Sequence, residues 1–317
     1  VSIQSAEKSK KIYFLLFLVP LFWGGAFGTA QHVITEISPL IAATLRFGSA
    51  GLLLLIIVLL RGEWNWTVLR SRWLGLFLMA ITGIFSYNAF FFIALKYTNA
   101  VNGSLIMATS PVFITLGAIF FLSEIWNKRL GVGLFLSLTG VFLVIMQGSF
   151  QTLLSLSFNK GDLLFMAALA SWVIHGLIGK VVMQGVSPLF TTTITTLIGS
   201  IFLAIGSFFD GEWKAVLAMS GQSWLEMIYM VVFATVIGFL LWNMGIHQIG
   251  ASKASIYMNL VPINAGWIAV LLYGERITWQ QLFGMILVIT GVFIATYKNG
   301  LKKQKIEKQV MIEDYNQ

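Results

Sequence analysis

Arg46 is the residue from which a chemistry can be argued first, because of the 20 Lys and Arg it alone falls well inside a long apolar segment. It follows Pro39 by seven residues, which at about 1.5 Å per residue sets it about 10 Å into a helix that starts at that proline. Insertion scales charge roughly 2.5–3.5 kcal/mol for arginine at a span centre and less towards an end, so the guanidinium should face other helices or water. There it could grip a carboxylate or phosphate at two points. It could equally snorkel outward or bond backbone carbonyls, and the sequence leaves both readings open. All 12 acidic residues lie at or near segment ends or in connections. A handler of organic cations is expected to hold a buried carboxylate as counter-charge and relay, so neutral, zwitterionic or anionic cargo is favoured.

Buried amides and rings are the next candidates, since a polar side chain turned towards lipid is costly. Trp23, Tyr87, Asn88, Asn102, Trp172, His175, Trp242, Asn243, Tyr257, Asn259 and Asn264 fall within apolar segments and are expected to point inward. His175 is the histidine set well inside a segment, read as an interhelical hydrogen-bond partner or, alternatively, a proton carrier. Pro111 and Pro262 are candidate hinges, expected mid-helix, where each removes the bond to the carbonyl four residues earlier, at Met107 and Met258. A static kink relieved by neighbouring helices is the other reading. Ala100/Ser104, Ala251/Ser255 and Gly24/Gly28 have the small-residue spacing of close helix packing. His-Glu-x-x-His, Gly-x-Ser-x-Gly and the Gly-x-x-x-x-Gly-Lys phosphate loop are missing from the sequence, which argues against an enzyme and against direct ATP use. Neither a cofactor nor a metal is expected.

The elements that must position these residues follow from composition. The chain has 317 residues, 58% hydrophobic and only 10% charged, with no cysteine and a mean hydropathy of +0.87; soluble domains carry roughly 25% charged residues. Ten apolar segments are near the roughly 20 residues that a bilayer span needs: 12–30, 38–60, 73–94, 99–122, 129–147, 161–183, 188–208, 223–246, 252–273 and 280–297. The first could pass for a signal h-region after Lys8, Lys10 and Lys11, but no small-residue cleavage site follows, and it is read as a span. With the amino terminus inside, fifteen of the 20 Lys and Arg collect on the inner side, four lie outside, and Arg46 is within a span. Both termini are therefore expected in the cytoplasm.

The segments are duplicated. Ala100, Ser104, Met107, Pro111, Glu124, Gly133 and the run Thr139-Gly140-Val141-Phe142 recur as Ala251, Ser255, Met258, Pro262, Glu275, Gly284 and Thr290-Gly291-Val292-Phe293, at a constant separation of 151. Trp23, Ser38 and Pro39 recur as Trp172, Ser187 and Pro188 at 149. The predicted organisation is a first five-helix repeat at 12–147, a linker at 148–160, a second repeat at 161–297 and a basic cytoplasmic tail at 298–317. Five spans is an odd number, so the halves enter the membrane from opposite sides. The fold class is an all-α integral membrane protein, ten transmembrane helices in an inverted 5+5 repeat around a central cavity.

Leu21-Phe22-Trp23-Gly24, Pro39 with Arg46-Phe47, Pro111 with Glu124, and Gly140-Val141-Phe142 resemble the drug/metabolite transporter superfamily, within it the ten-span group with two EamA domains. Ser171-Trp172, Pro188, Pro262 with Glu275-Arg276, and Gly291-Val292-Phe293 repeat the pattern in the second half. The resemblance implies a carrier in the cytoplasmic membrane that moves small metabolites, amino acids among them, usually outward. It implies a basket of helices around a central cavity. Related four-span drug exporters hold a glutamate inside the first span, where this chain has apolar and small residues. The expected function is export of a small metabolite by alternating access. Uptake or exchange of sugar-like or phosphorylated solutes, and a membrane enzyme acting on a lipid-linked substrate, are the alternatives. Expected partners are the small-molecule substrate and membrane lipid, not nucleic acid, with a homodimer left open.

Overall fold

The computed structural model describes residues 11–98, 100–146, 159–264 and 278–296. Regular structure among them is entirely helical, as expected where backbone groups lie at membrane depth and must be bonded within the segment. In chain order the helices are α1 (Leu18–Glu36), α2 (Pro39–Leu60), α3 (Trp66–Met79) running through a π-helical segment (Ala80–Ser86) into α4 (Tyr87–Ala94), α5 (Ala100–Ala108), α6 (Ser110–Leu122) and α7 (Lys128–Met146). Beyond residue 159 come α8 (Lys160–Val182), α9 (Pro188–Ser207), a 3-10 turn (Trp213–Ala218) and α10 (Gly221–Tyr229). A second π-helical segment (Met230–Ile237) leads into α11 (Gly238–Ile249), followed by α12 (Ala251–Ser255) with a 3-10 continuation (Ile256–Leu260), and by α13 (Trp279–Thr296).

Eight helices among the described residues are long and apolar enough to cross a membrane, against ten expected. Of the other two expected spans, 129–147 is occupied by α7, and 252–273 includes residues outside those described. The helix ends differ from expectation at three spans. The first runs Lys11–Glu36, the third Trp66–Ala94 and the eighth Gly221–Ile249, longer than the apolar cores expected there. Local signals set several starts: Pro39 and Pro188 sit in the first turns of α2 and α9, where the missing N–H loses no helical bond. Asn159 and Asp162 form a capping box ahead of α8. Of the linker expected at 148–160, residues 148–158 lie outside the described residues, as do Glu275, Arg276 and the basic tail, while Lys160 already begins α8.

Two seams join the halves, each made by a helix and its repeat counterpart running antiparallel. Along the first, Leu40, Gly51 and Leu54 of α2 meet Gly206, Leu197 and Thr193 of α9, the numbers rising on one helix as they fall on the other. Carboxylates pin both ends: Leu40 N–H donates to Asp210 Oδ2 at 2.6 Å, and Ser187 Oγ donates to Glu63 Oε2 at 2.6 Å. In the second seam α7 lies against α13 with glycines at the crossing. A Cβ built on Gly133 would stand 2.5 Å from Gly291 O, and one on Gly140 would stand 2.5 Å from Gly284 O. Only glycine allows that approach of backbones. Gly28, by contrast, has nothing within 4 Å of where its Cβ would be, so close packing does not explain it.

Helix interruptions also recur in register. The π segment at Ala80–Ser86, shifted by 151, falls on 231–237, within the segment Met230–Ile237. The turn at Thr109 that separates α5 from α6 falls, by the same shift, on the end of the 3-10 stretch Ile256–Leu260. Pro111 is therefore not mid-helix as expected but in the first turn of α6, and Pro262 follows the 3-10 stretch by two residues. The breaks sit where proline denies the backbone its regular bond. Carbonyls of the π segments also accept hydrogen bonds from side chains, Asn88 at Ile84 O, Trp23 at Ala234 O and Thr235 at Met230 O.

Candidate functional site

A central cavity is lined by residues of both halves. Arg46 lines it and is only 4% exposed. Its Nε donates to Thr235 Oγ1 at 2.8 Å, and Thr235 Oγ1 in turn donates to Met230 O at 2.8 Å, a carbonyl of the second π segment. The hydroxyl proton is thereby committed to the backbone, and its lone pair is offered to Arg46. The guanidinium carbon lies 4.9 Å from the centroid of the Phe47 ring. No ion pair to Arg46 exists among the described residues. Nε is its one nitrogen with a hydrogen-bond partner there, so the two terminal nitrogens keep their donor capacity for an anionic group.

An aromatic wall stands beside it. The repeat counterparts Trp23 and Trp172 meet edge to face at 5.4 Å, and Phe239 closes on both at 5.5 and 5.8 Å. Trp23 is oriented by its indole, whose Nε1 donates to Ala234 O of the second π segment at 2.7 Å. The Trp172 Nε1 is buried with no partner among the described residues. Tyr87 tilts against Trp172 at 5.1 Å and lines the same space.

Asn88 completes the polar lining. It is fully buried, and its Nδ2 donates to Ile84 O at 2.8 Å and Gly83 O at 3.3 Å, carbonyls of the first π segment. Among the residues named from sequence, Arg46, Trp23, Tyr87, Asn88, Trp172 and Pro262 line the cavity. The others are placed elsewhere. His175 stacks behind Trp172 at 5.5 Å and donates from Nδ1 to Met79 O at 3.1 Å, the carbonyl ahead of the first π segment. Asn243 donates to Thr192 Oγ1 at 2.8 Å, and Asn259 to Ser137 Oγ at 2.7 Å, so both sit in helix seams. Tyr257 is buried edge-on to Phe17 at 5.0 Å. Trp242 stacks on the far side of Trp172 at 5.2 Å, and Pro111 is buried away from the lining. Asn264 is partly buried off the lining, and the Asn102 side chain lies outside those described.

Phe27, Phe91 and Phe239 also line the cavity and were not named from sequence, and Ser104, Met107 and Met258, named there for packing or for their carbonyls, line it too. Register offered a signal for some of them. Met107 and Met258 are repeat counterparts, and Phe239 is the counterpart of Asn88. Thr235, which positions Arg46, carries no such signal.

Because Pro262 and Met258 line the cavity at a helix irregularity, a change there reaches the site directly. Pro262→Ala is expected to restore a backbone donor towards Met258 O, keep the protein folded and slow transport. Initial rates per folded molecule in proteoliposomes check this. Low expression with normal turnover would identify a static kink instead.

The EamA-like transporter family matches the chain twice, over residues 10–146 and 159–297. The uncharacterized transporter YyaM of Bacillus subtilis is 35% identical over 305 residues, 96% of this chain and 100% of that one. A protein of Salmonella typhimurium named a probable amino-acid metabolite efflux pump is 26% identical over 300 residues, covering 91% of this chain and 96% of its own length. A solved crystal structure at 19% identity superposes with a TM-score of 0.74 over 90% of this chain and 97% of that one, a likeness of fold.

Proposed function

The chain belongs to the EamA-like transporter family and is a multi-pass membrane transporter, and from that premise we propose that it exports amino acids or closely related solutes across the cytoplasmic membrane by alternating access. The observation that carries the cargo class is Arg46, a buried guanidinium lining the cavity with no ion-pair partner among the described residues. Such a charge calls for an anionic group to arrive with the substrate. A carboxylate on a small molecule with an apolar body suits both the guanidinium and the aromatic wall. The name of the Salmonella relative agrees with this cargo and with the outward direction.

The architecture we propose for it is ten spans in two inverted five-helix repeats, 12–147 and 161–297, joined by the linker 148–160, with both termini in the cytoplasm. The two antiparallel seams between repeat counterparts and the in-register interruptions support this arrangement. Exchange of conformation between two such halves is what opens one site to either side in turn. A single cysteine at Arg61 is expected to react only with reagents that reach the cytoplasm, and cysteines at Lys160 or Gln222 with impermeant external ones; the native chain has no cysteine to interfere. External labelling at Arg61 would reverse the orientation.

Function itself is tested by counterflow in proteoliposomes loaded with a panel of amino acids, 2-oxo acids, sugar phosphates and sugars. Amino-acid exchange above that of empty vesicles is expected. Exchange of sugar phosphates alone would replace the cargo class, and chemical conversion of any compound would replace the transporter reading with an enzyme.

A further inference from the structure

The cavity holds a second polar group whose chemistry is opposite to that of Arg46. Buried side-chain atoms without a hydrogen-bond partner among the described residues include two that belong to lining residues: Trp172 Nε1, a donor, and Asn88 Oδ1, an acceptor. The identity of the Asn88 oxygen is fixed by its surroundings. Nδ2 faces two carbonyl oxygens of the π segment, Gly83 O and Ile84 O, and a flipped amide would bring oxygen against oxygen at 2.8 Å. Two carbonyl oxygens facing one amide nitrogen thus turn an otherwise ambiguous amide into a stationary acceptor. A buried acceptor left in this state carries a desolvation penalty that an arriving N–H donor removes.

Arg46 offers only donors, so the two groups together complement a molecule that carries both a carboxylate and an ammonium. Arg46, Tyr87 and Asn88 come from the first half of the chain, whereas the second half contributes Trp172, Phe239, Met258, Val261 and Pro262. Phe239 occupies in the second half the register position that Asn88 holds in the first. The guanidinium and the amide of the lining therefore both come from the first half, with aromatic and apolar residues of both halves, Phe27, Phe91 and Met107 among them, around them. We propose that Asn88 Oδ1 accepts a hydrogen bond from the α-ammonium of the substrate, and is the residue by which this carrier distinguishes a zwitterionic amino acid from a plain carboxylate. The bound molecule turns its charged head to Arg46 and Asn88 and its side chain to the aromatic and apolar lining. This rests on the cargo class proposed above.

Three compounds on one carbon skeleton provide the test: L-leucine, its 2-oxo acid, and its bulkier N,N,N-trimethyl betaine, which keeps the positive charge but has no N–H. In wild-type proteoliposomes leucine should be taken up roughly 10–100-fold more efficiently than either analogue, the range expected for one hydrogen bond to a charged group. Asn88→Leu, which keeps the volume and removes the oxygen, should bring the ratio of leucine to 2-oxo acid towards one. Both substrates are measured on the same vesicles, so the ratio does not depend on how much variant inserts, and the betaine arm needs no variant at all. Betaine uptake equal to that of leucine would assign the ammonium to the aromatic wall and overturn the role of Asn88. An unchanged ratio in Asn88→Leu would do the same while leaving the cargo class standing. Failure of wild-type protein to move leucine or its 2-oxo acid would overturn the cargo class, and this assignment with it.

Discussion

Arg46→Gln should abolish transport almost completely, with the protein still inserted and monodisperse. The guanidinium keeps two terminal nitrogens unengaged by the described protein, and charge-assisted hydrogen bonds to a carboxylate contribute about 1.5–3 kcal/mol each. Losing two of them weakens apparent affinity by roughly 100-fold or more. Folding should survive, because no carboxylate among the described residues is left unpaired and Thr235 Oγ1 still donates to Met230 O. Lysine retains the charge but not the planar fork, and it gives up the Nε bond to Thr235 that aims the group. Arg46→Lys should therefore sit between wild type and glutamine, about tenfold down in apparent affinity. Initial rates against substrate concentration in proteoliposomes, normalised to folded protein, separate the three. Wild-type affinity in Arg46→Gln would remove Arg46 from the site and leave its burial as a matter of helix packing.

The second large effect is expected on folding. Gly140→Leu should leave little monodisperse protein, because a Cβ at 140 would stand 2.5 Å from Gly284 O and 2.7 Å from Val288 N. Backbone atoms cannot rotate away as a flexible side chain can, so α7 and α13 must separate. Overpacking of interiors costs about 1–3 kcal/mol and occasionally more; a clash with main chain belongs at or beyond the upper end of that range. Gly28→Ala is the contrasting substitution, with open space where its Cβ would go. Thermal midpoints of detergent-purified protein by size exclusion should fall steeply for Gly140→Leu and stay within a degree or two for Gly28→Ala, the scale of a surface change. A Gly140→Leu protein melting with wild type would refute the close crossing.

Arg46 was legible in the sequence because a charge inside an apolar segment has few tolerable surroundings, and Trp23 with Trp172 because the duplication aligned them. The seams were legible only in outline: repeated glycines announced close packing, but not that Gly133 would face Gly291 and Gly140 would face Gly284. Asn243 and Asn259 show where the reasoning stops. A polar side chain avoids lipid, yet the inward direction includes seams as well as the cavity. Thr192 and Ser137, on neighbouring helices, provided partners that no single-segment reading reveals. The π segments left no mark that hydropathy could detect, so neither the fixed orientation of Asn88 nor the anchoring of Trp23 on Ala234 O could be read in advance. Prolines were misplaced within their helices for a related reason: Thr109 breaks the helix two residues ahead of Pro111, and the ring then begins a new first turn.

The pinned ends of the α2 and α9 seam constrain how such a molecule can work as a machine. Each helix start is fastened to an acid beyond the far end of its counterpart, Leu40 to Asp210 and Ser187 to Glu63. A rod fixed to its neighbour at both ends can neither slide along it nor peel away from one side. It can serve only as an axle. Were one half to rock on the other, the motion would have to be taken up off that axis, and the π segments and the breaks before Pro111 and Pro262 are the irregular stretches of helix that could bend for it.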